Sequence, residues 1–395
     1  ALSDATAEAD GRIINTNDVP LCCGCGACAA VCPVSAITIK EDEYGFQNRT
    51  IDDSKCIQCN KCLQTCPFYH VKALNLHNAK KLIAYKSRNE QHIKYSSSGG
   101  IAADLAEQLN RQGYKVYGAS YNREMKHAEH IGIEPNATQE LKAIQGSKYL
   151  QSWTGKAFFE INNLDKNEKI IYFGTPCQVA ALDKLLNIRG ERKNAVLVDL
   201  ICHGVPSQHL WRKYLQEVEG KYKISTNPYV DFRSSQGKWH IRSIAIFDDK
   251  KRYMRNDRKD LFYIFFRNSL CDMEGCYDCP YREKSGADIR IGDYWGPRYE
   301  KNEDGVSMVI GITSKGVQLI ADLSGEKEEH PLKEFWDVQS PYNRQKPLFY
   351  EALIDELKNP DRLLNEIRVK YAKGYEIREK LGNLKNKIYN LINRK

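Results

Sequence analysis

Two cysteine runs, CCGCGACAAVCP at 22–33 and CIQCNKCLQTCP at 56–67, constrain this chain more than any other feature. Each reads C-x2-C-x2-C-x3-C-P: Cys22, Cys25, Cys28 and Cys32 before Pro33, then Cys56, Cys59, Cys62 and Cys66 before Pro67. Three thiolates at this spacing wrap one [4Fe–4S] cluster from a tight loop, and the fourth cysteine reaches across to a second cluster. The expected ligand sets are therefore Cys22, Cys25 and Cys28 with Cys66, and Cys56, Cys59 and Cys62 with Cys32. C-x2-C pairs also suit zinc, but two identical runs closed by proline favour a pair of clusters. Cys23 falls outside the repeat and reads as a small packed residue.

The other bulk properties narrow the setting. Of fourteen cysteines, nine crowd into this one segment, where they must stay reduced to bind iron. The cysteines are thus no disulfide framework, and they imply a reducing cytoplasm in an organism or compartment with little oxygen. The N-terminal ALSDATAEADG has neither a basic start nor an apolar stretch, unlike a signal peptide. No run approaches the roughly 18 apolar residues of a membrane span. The net charge is +8, but the basic residues are spread along the chain and form no nucleic-acid-binding motif. A positive surface suits an acidic electron carrier of ferredoxin or flavodoxin type, by electrostatic steering.

Four regions follow from the patterning, and the expected class is mixed α+β and α/β. Residues 1–75 form a ferredoxin-like unit, with a strand pair expected in AITIKEDEYGFQNRTID between the two cysteine runs. Residues 76–225 alternate apolar strands (LIAYKS, KVYGASY, KIIYFG, AVLVDL) with amphipathic helices, the signature of an α/β domain. Residues 226–350 read as an α+β extension on the same core. In 351–395, Ile377, Leu381, Leu384, Ile388 and Leu391 recur at steps of four and three among Arg378, Lys380, Lys385, Lys387, Arg394 and Lys395. That pattern is a basic amphipathic helix, suited to packing on its own domain, to a homodimer or to a lipid surface.

Three polar turns in the α/β region are candidates for an anionic ligand. Ser96–Gly100 lies between a strand and a helix, where hydroxyls and bare amides suit a phosphate. Gly146–Ser147–Lys148 with Gln151 and Ser152 is a second, and Gly174–Gln178 a third at the end of an apolar strand, where open α/β sheets bind ligands. Cys271, Cys276 and Cys279 form a knuckle, C-x4-C-x2-C before Pro280, with no fourth ligand nearby in sequence. Cys202 is the first choice for that ligand and Cys177 the second. A third [4Fe–4S] cluster, a structural zinc and free buried thiols are the alternatives. Cys177 and His203 are the candidate catalytic residues, His203 as a proton donor or else as a hydrogen-bonded structural histidine. Asp293, Tyr294 and Trp295 line the same cavity or belong to the core.

Taken in order, the dicluster run, SSGG, GSKYLQS, FGTPCQVAAL, VDLICHGVPS, CYDCPYR and IGDYWG resemble the family of coenzyme F420 hydrogenase/dehydrogenase beta subunits, in the branch with a fused N-terminal dicluster domain. The resemblance runs from about residue 20 to about residue 350. It implies a flavin, FAD rather than FMN, in the α/β core, served by iron–sulfur clusters. It also implies flavin contacts at Ser97, Ser98, Gly99, Gly100, Lys148, Gln151, Thr175, Pro176 and Gln178. The eight-ligand ferredoxin unit departs from the simpler cluster set of the hydrogenase protein itself, so no deazaflavin substrate is assigned. The expectation is an oxidoreductase that takes electrons from a low-potential carrier and reduces a small organic substrate. Its alternative is an electron-transfer subunit with no substrate of its own.

Overall fold

A computed structural model describes residues 19–234, 239–339, 342–379 and 381. A nine-stranded sheet organises the chain. Its strands, in sequence order, are β1 (Lys81–Lys86), β2 (Lys115–Asn122), β3 (His127–Ile133), β4 (Ser152–Trp153), β5 (Ile170–Gly174), β6 (Ala195–Leu200), β7 (Ile289–Asp293), β8 (Ser307–Gly311) and β9 (Glu326–His330). They lie side by side as β9-β1-β8-β7-β6-β5-β2-β3-β4. The centre, β7-β6-β5-β2, is parallel. Its strands are apolar on both faces because helices and loops cover both, as parallel sheets require. Beyond this centre β8, β1 and β9 pair antiparallel on one side, and on the other β3 pairs antiparallel with β2 while β4 closes the edge parallel to β3.

Three of these strands, β7, β8 and β9, come from beyond residue 226. The expected boundary at 225/226 therefore does not divide the central sheet, because strand pairing joins the two regions edge to edge. What does stand apart is a second apolar core around Trp211, Phe232, Phe262 and Tyr350. It is built from helix Gln208–Tyr222, a three-stranded sheet over residues 229–256, helix Leu261–Arg267 and the helices after Tyr350.

The helix ends are encoded locally. Helix α1 (Ile101–Arg111) starts at Gly100, whose φ of +83° suits only glycine comfortably. Helix α2 (Pro176–Arg189) opens on a capping box, Thr175 with Gln178, carries proline at its first position, and ends at Gly190 in the left-handed conformation.

In the ferredoxin-like unit the expected strand pair is present, Ile37–Glu41 against Gln47–Ile51, antiparallel, with short helices Ala27–Ala30 and Lys61–Thr65 in the two cysteine runs. In the C-terminal region Tyr350–Lys358 is one helix, and residues 364–379 are helical throughout, with a π turn at Arg368–Ala372. Leu353, Ile354, Leu357, Leu364 and Ile367 are buried in the second core. Ile377 and Leu381 are exposed, and Lys380, Leu384, Ile388 and Leu391 lie outside the described residues. Among the described residues, no helix is long and apolar enough to cross a membrane.

Candidate functional site

The first cysteine loop is seated on the α/β core through its main chain. Gln151 Nε2 donates to the Cys23 carbonyl at 3.1 Å, and its Oε1 accepts from the Gln47 amide at 2.7 Å. Thr154 donates to the Cys25 carbonyl at 2.7 Å, and Asn162 to that of Ala30 at 2.9 Å. Gly26 has φ +79°, and a Cβ there would meet the Gly155 Cα at 2.9 Å, so the two backbones approach this closely only because Gly26 has no side chain. This seat gathers Cys22, Cys25, Cys28 and Cys66, the four expected to share one cluster. Burial, and then the charges of Cys25, Cys22 and Cys66, hold the Cys28 thiol well above the ordinary thiol pKa. Burial likewise pushes Cys66 up to about 11. The second loop faces outward: Cys59 and Ile57 are exposed, while Cys32, Cys56 and Cys62 are half-buried.

Four further thiols meet beneath this seat. Cys177, in the first turn of α2, Cys202, just past β6, and Cys276 and Cys279 of the knuckle line one cavity together with Cys22 and Cys23. The cavity and its mouth hold about 600 Å³ of space. Cys177 and Cys202 meet because β5 and β6 are parallel neighbours, so the loops leaving them emerge at the same end of the sheet. Burial, and then neighbouring thiols, push Cys279 up to about 12 and Cys202 up to about 11. Crowded, partly buried thiols, three of them held above the ordinary thiol pKa, are a donor set matched to a strongly positive centre, which would deprotonate them. They ring a space instead of meeting at a point, and among the described residues no three His, Cys, Asp or Glu side chains are grouped to hold a single metal ion.

Arg282 ties the two arms of this cavity together. Its guanidinium donates to the carbonyls of Cys202 (3.2 Å), His203 (3.1 Å) and Cys276 (3.0 Å), and to Asn343 Oδ1 at 2.7 Å. Arg290 in turn donates to the carbonyls of Tyr281, Arg282 and Lys284, and makes a buried bidentate pair with Asp199 at 2.7 Å. Asp272 is buried beside the knuckle, where burial pushes its carboxyl up to about 7 and its Oδ1 finds no partner.

Three sequence expectations differ from the structure. Cys271 does not belong to the thiol set: it is 0% exposed, sits in the aromatic second core, and does not line the cavity. A bridge between Pro206 and Asp272, and the Ser207 amide bonded to the Cys271 carbonyl at 2.8 Å, fix it there. The knuckle's two remaining cysteines are joined by both Cys202 and Cys177, not by one of them. His203 is exposed and does not line the cavity; its carbonyl, not its imidazole, is used.

The three polar turns form a chain of contacts. Ser97 Oγ accepts from the Ser147 amide at 3.0 Å and bonds to its hydroxyl at 2.8 Å, joining the first turn to the second. Gln178 Nε2 donates to the Ser152 carbonyl at 3.2 Å, joining the second to the third. Gln151, Thr175, Pro176 and Gln178 line the thiol cavity, whereas Ser97, Ser98, Gly99, Gly100 and Lys148 do not. Gln151 and Gln178 each spend their side-chain amide nitrogen and oxygen on internal bonds. Gly99 is packed against the Tyr85 carbonyl and the Ser307 amide, where a Cβ would collide. Lys148 donates to the Gln145 and Gly146 carbonyls, and burial pushes its ammonium down to about 7. Asp293 is held by Arg233 and by Trp239 at 2.9 Å, and Trp239 stacks on Trp295.

Sequence reasoning missed Arg282, Lys184 and Cys23 as parts of the site. Arg282 had one signal, its place in CYDCPYR directly after the knuckle. Lys184, two turns into α2, had none: its ammonium donates to the Cys66 carbonyl at 2.7 Å and to that of Tyr69.

Comparisons with known proteins bear on this layout. Residues 21–69 match the 4Fe–4S dicluster domain, which contains all eight repeat cysteines. Residues 167–334 match the family described as the C terminus of the coenzyme F420 hydrogenase/dehydrogenase beta subunit, a span holding Cys177, Cys202, Cys276, Cys279 and Arg282. The chain is 23% identical over 295 residues to the F polypeptide of the F420H2 dehydrogenase of Methanosarcina mazei, covering 70% of this chain and 76% of that protein. It is 25% identical over 312 residues to the coenzyme F420-dependent sulfite reductase of Methanocaldococcus jannaschii, covering 76% of this chain but only 46% of that one. A chain of the F420-reducing [NiFe] hydrogenase complex from Methanosarcina barkeri aligns with TM-score 0.43 and 18% identity, over 77% of this chain and 94% of its own. The matched descriptions name coenzyme F420 and no flavin.

Proposed function

We propose that this chain, which belongs to the family of coenzyme F420 hydrogenase/dehydrogenase beta subunits and carries a fused 4Fe–4S dicluster domain, is an iron–sulfur oxidoreductase component that relays single electrons between an outer carrier and a two-electron cofactor in its core. The observation that carries this is the succession of thiol sets. It runs from the exposed Cys59 loop, through Cys22, Cys25, Cys28 and Cys66, to Cys177, Cys202, Cys276 and Cys279.

Bound clusters supply one-electron transfer, and a flavin or coenzyme F420 supplies the two-electron end. The chain's own residues do the rest. Cys177, Cys202, Cys276 and Cys279 hold the third cluster, and the N-terminus of α2 favours the thiolate of Cys177. Arg282 fixes the loops that carry Cys202 and Cys276. Tyr281, fully buried and hydrogen-bonded to the Pro67 carbonyl, keeps water out between the first set and the third. Ser97, Ser98 and Lys148 make the polar end of the flavin site, where the negative charge of a phosphate would favour the protonated form of Lys148 against the burial that lowers its pKa.

The outer cluster loop receives an acidic carrier of ferredoxin or flavodoxin type, and the flavin serves a small organic substrate. A second reading, an electron-transfer beta subunit within a larger complex, has its support in the description of the M. mazei relative as one subunit of a dehydrogenase. Anaerobic purification with iron and flavin analysis tests the proposal, followed by titration with reduced coenzyme F420 and with reduced ferredoxin. About twelve irons per chain, a bound flavin and bleaching by either donor are expected. About eight irons and no flavin would leave a dicluster carrier only.

A further inference from the structure

Arg49 sits in the second strand of the ferredoxin-like unit, Gln47–Ile51, and pairs across the ladder with Ile39. Directly paired residues of an antiparallel ladder point to the same face. Ile39 lies against Gly26, its Cγ1 3.6 Å from where a Cβ there would stand, so this face is turned to the loop that carries Cys25 and Cys28. Arg49 Nη2 donates to the Val19 carbonyl at 2.5 Å, and Val19, itself buried, packs on Leu63 and Cys66. The side chain thus runs between the two parts of the first ligand set. Its Nε is buried and finds no partner, and among the described residues no Asp or Glu forms an ion pair with it. A guanidinium turned inward with a bare N–H and no carboxylate is costly unless a negative group meets it. Against the burial that raises the Cys28 thiol pKa, the Arg49 charge acts in the opposite direction, so it is felt at that ligand.

We infer that Arg49 is a non-ligating residue that supplies the counter-charge of the first iron–sulfur cluster and raises its reduction potential above what burial would give. This rests on the reading of Cys22, Cys25, Cys28 and Cys66 as the ligands of that cluster. A [4Fe–4S] centre on four thiolates is an anion and gains a further negative charge on reduction, so its potential follows burial, nearby charge and hydrogen bonds. Burial alone disfavours the added charge. The second ligand set, with Cys59 exposed, is the better solvated of the two. Without a cation the inner cluster would be the harder to reduce, and an electron from an outer carrier would rest on the outer one. A fixed guanidinium offsets this and favours the inward step. That step moves one electron, oxidising the second cluster and reducing the first, while Arg49 keeps all its protons and bonds.

The experiment compares wild type, Arg49→Gln and Arg49→Lys, purified anaerobically, by iron content and by potentiometric titration followed by EPR. All three are expected to hold the full iron complement. In Arg49→Gln, which keeps a donor but no charge, one dicluster couple falls by up to about tenfold in the reduction equilibrium, or about 59 mV for one electron, while the other stays. It is the same couple that Lys184→Met moves, because Lys184 serves the Cys66 carbonyl of this ligand set. Arg49→Lys, which keeps the charge, restores most of the shift, a rescue that a role in shape alone would not give. Full iron with unmoved potentials in Arg49→Gln overturns the assignment and leaves the clusters standing. Equal movement of both dicluster couples overturns it too, by making the charge a general one. Loss of about four irons in Arg49→Gln alone supports the counter-charge, whereas the same loss in both variants overturns it, by making Arg49 a structural anchor. A wild type without the about eight irons of two clusters fails the cluster reading itself, and the counter-charge with it.

Discussion

Lys184 donates from its ammonium to the carbonyl of Cys66 at 2.7 Å, and it does so from the same helix, α2, whose first turn carries Cys177. One rigid element thereby touches both inner thiol sets. Burial lowers the pKa of Lys184, and the two carbonyls it serves offset that cost. Lys184→Met leaves both carbonyls short of a donor, at about 1–3 kcal/mol for a buried group left unpaired. Anaerobic thermal unfolding is expected to show that loss, and the first cluster's potential is expected to fall with removal of the nearby positive charge.

Arg282 holds three carbonyls on the two arms of the strand-end cavity. Arg282→Met is expected to release about four irons and leave the dicluster EPR signals intact. Arg282→Lys should not rescue it, because an ammonium cannot reproduce a planar fork of donors. Retention of all iron in Arg282→Met would show that the cysteines hold their geometry unaided.

The two ends of the knuckle separate cleanly by substitution. Cys276→Ser is expected to lower iron from about twelve to about eight atoms per chain, a loss of the about four irons of one [4Fe–4S] cluster. Cys271→Ser is expected to keep all the iron and instead lose about 1–3 kcal/mol of stability, as a hydroxyl buried in an aromatic core without a partner does. The reverse pattern would return Cys271 to the ligand set.

His130 is buried between the Ser152 hydroxyl (2.7 Å) and the Phe173 carbonyl (2.8 Å), and burial lowers its imidazole from 6.5 to about 4. A histidine depressed in the folded state binds its proton more readily when unfolded, so it favours folding at high pH and not at low. Its contribution is complete above about 6.5 and is lost as pH falls from there toward 4. His130→Gln, which keeps polar groups but does not titrate, should flatten the stability profile across that window. Identical profiles would mean that water reaches the ring.

Lys148→Ala is expected to weaken flavin retention severalfold while leaving iron unchanged, read as the flavin-to-protein ratio after gel filtration. Full flavin occupancy in this variant would place the flavin's polar end elsewhere.

Much of this architecture is legible in the sequence because the physics is local. The cysteine spacing, the apolar runs of β5 and β6, and the Thr175–Gln178 capping box each declare themselves within a few residues. The composition of the strand-end cavity does not, because it depends on strand order. Cys177 and Cys202 look like rivals for one position until β5 and β6 prove to be adjacent and parallel, which brings both to the same end of the sheet. Cys271 looks like their partner until the Pro206–Asp272 bridge turns it into the second core. Gln151 looks free for a ligand, and only tertiary contacts reveal that its amide is occupied.

Beside the packing of Phe46 and Phe68 and the pairing of Arg212 with Glu41, the hydrogen bonds beneath the ferredoxin-like unit fall largely on main-chain atoms. Gln151, Thr154, Asn162, Lys184, Ser207 and Tyr281 reach across to carbonyls of Cys23, Cys25, Ala30, Cys66, Tyr44 and Pro67. Contacts that read the path of a loop, and not the side chains along it, tolerate substitution at the positions they serve. The fused unit is therefore exchangeable in principle: a dicluster module of different sequence would dock in the same register, provided its loop traced the same course, kept apolar side chains at Phe46 and Phe68, and kept glycine where Gly26 meets Gly155.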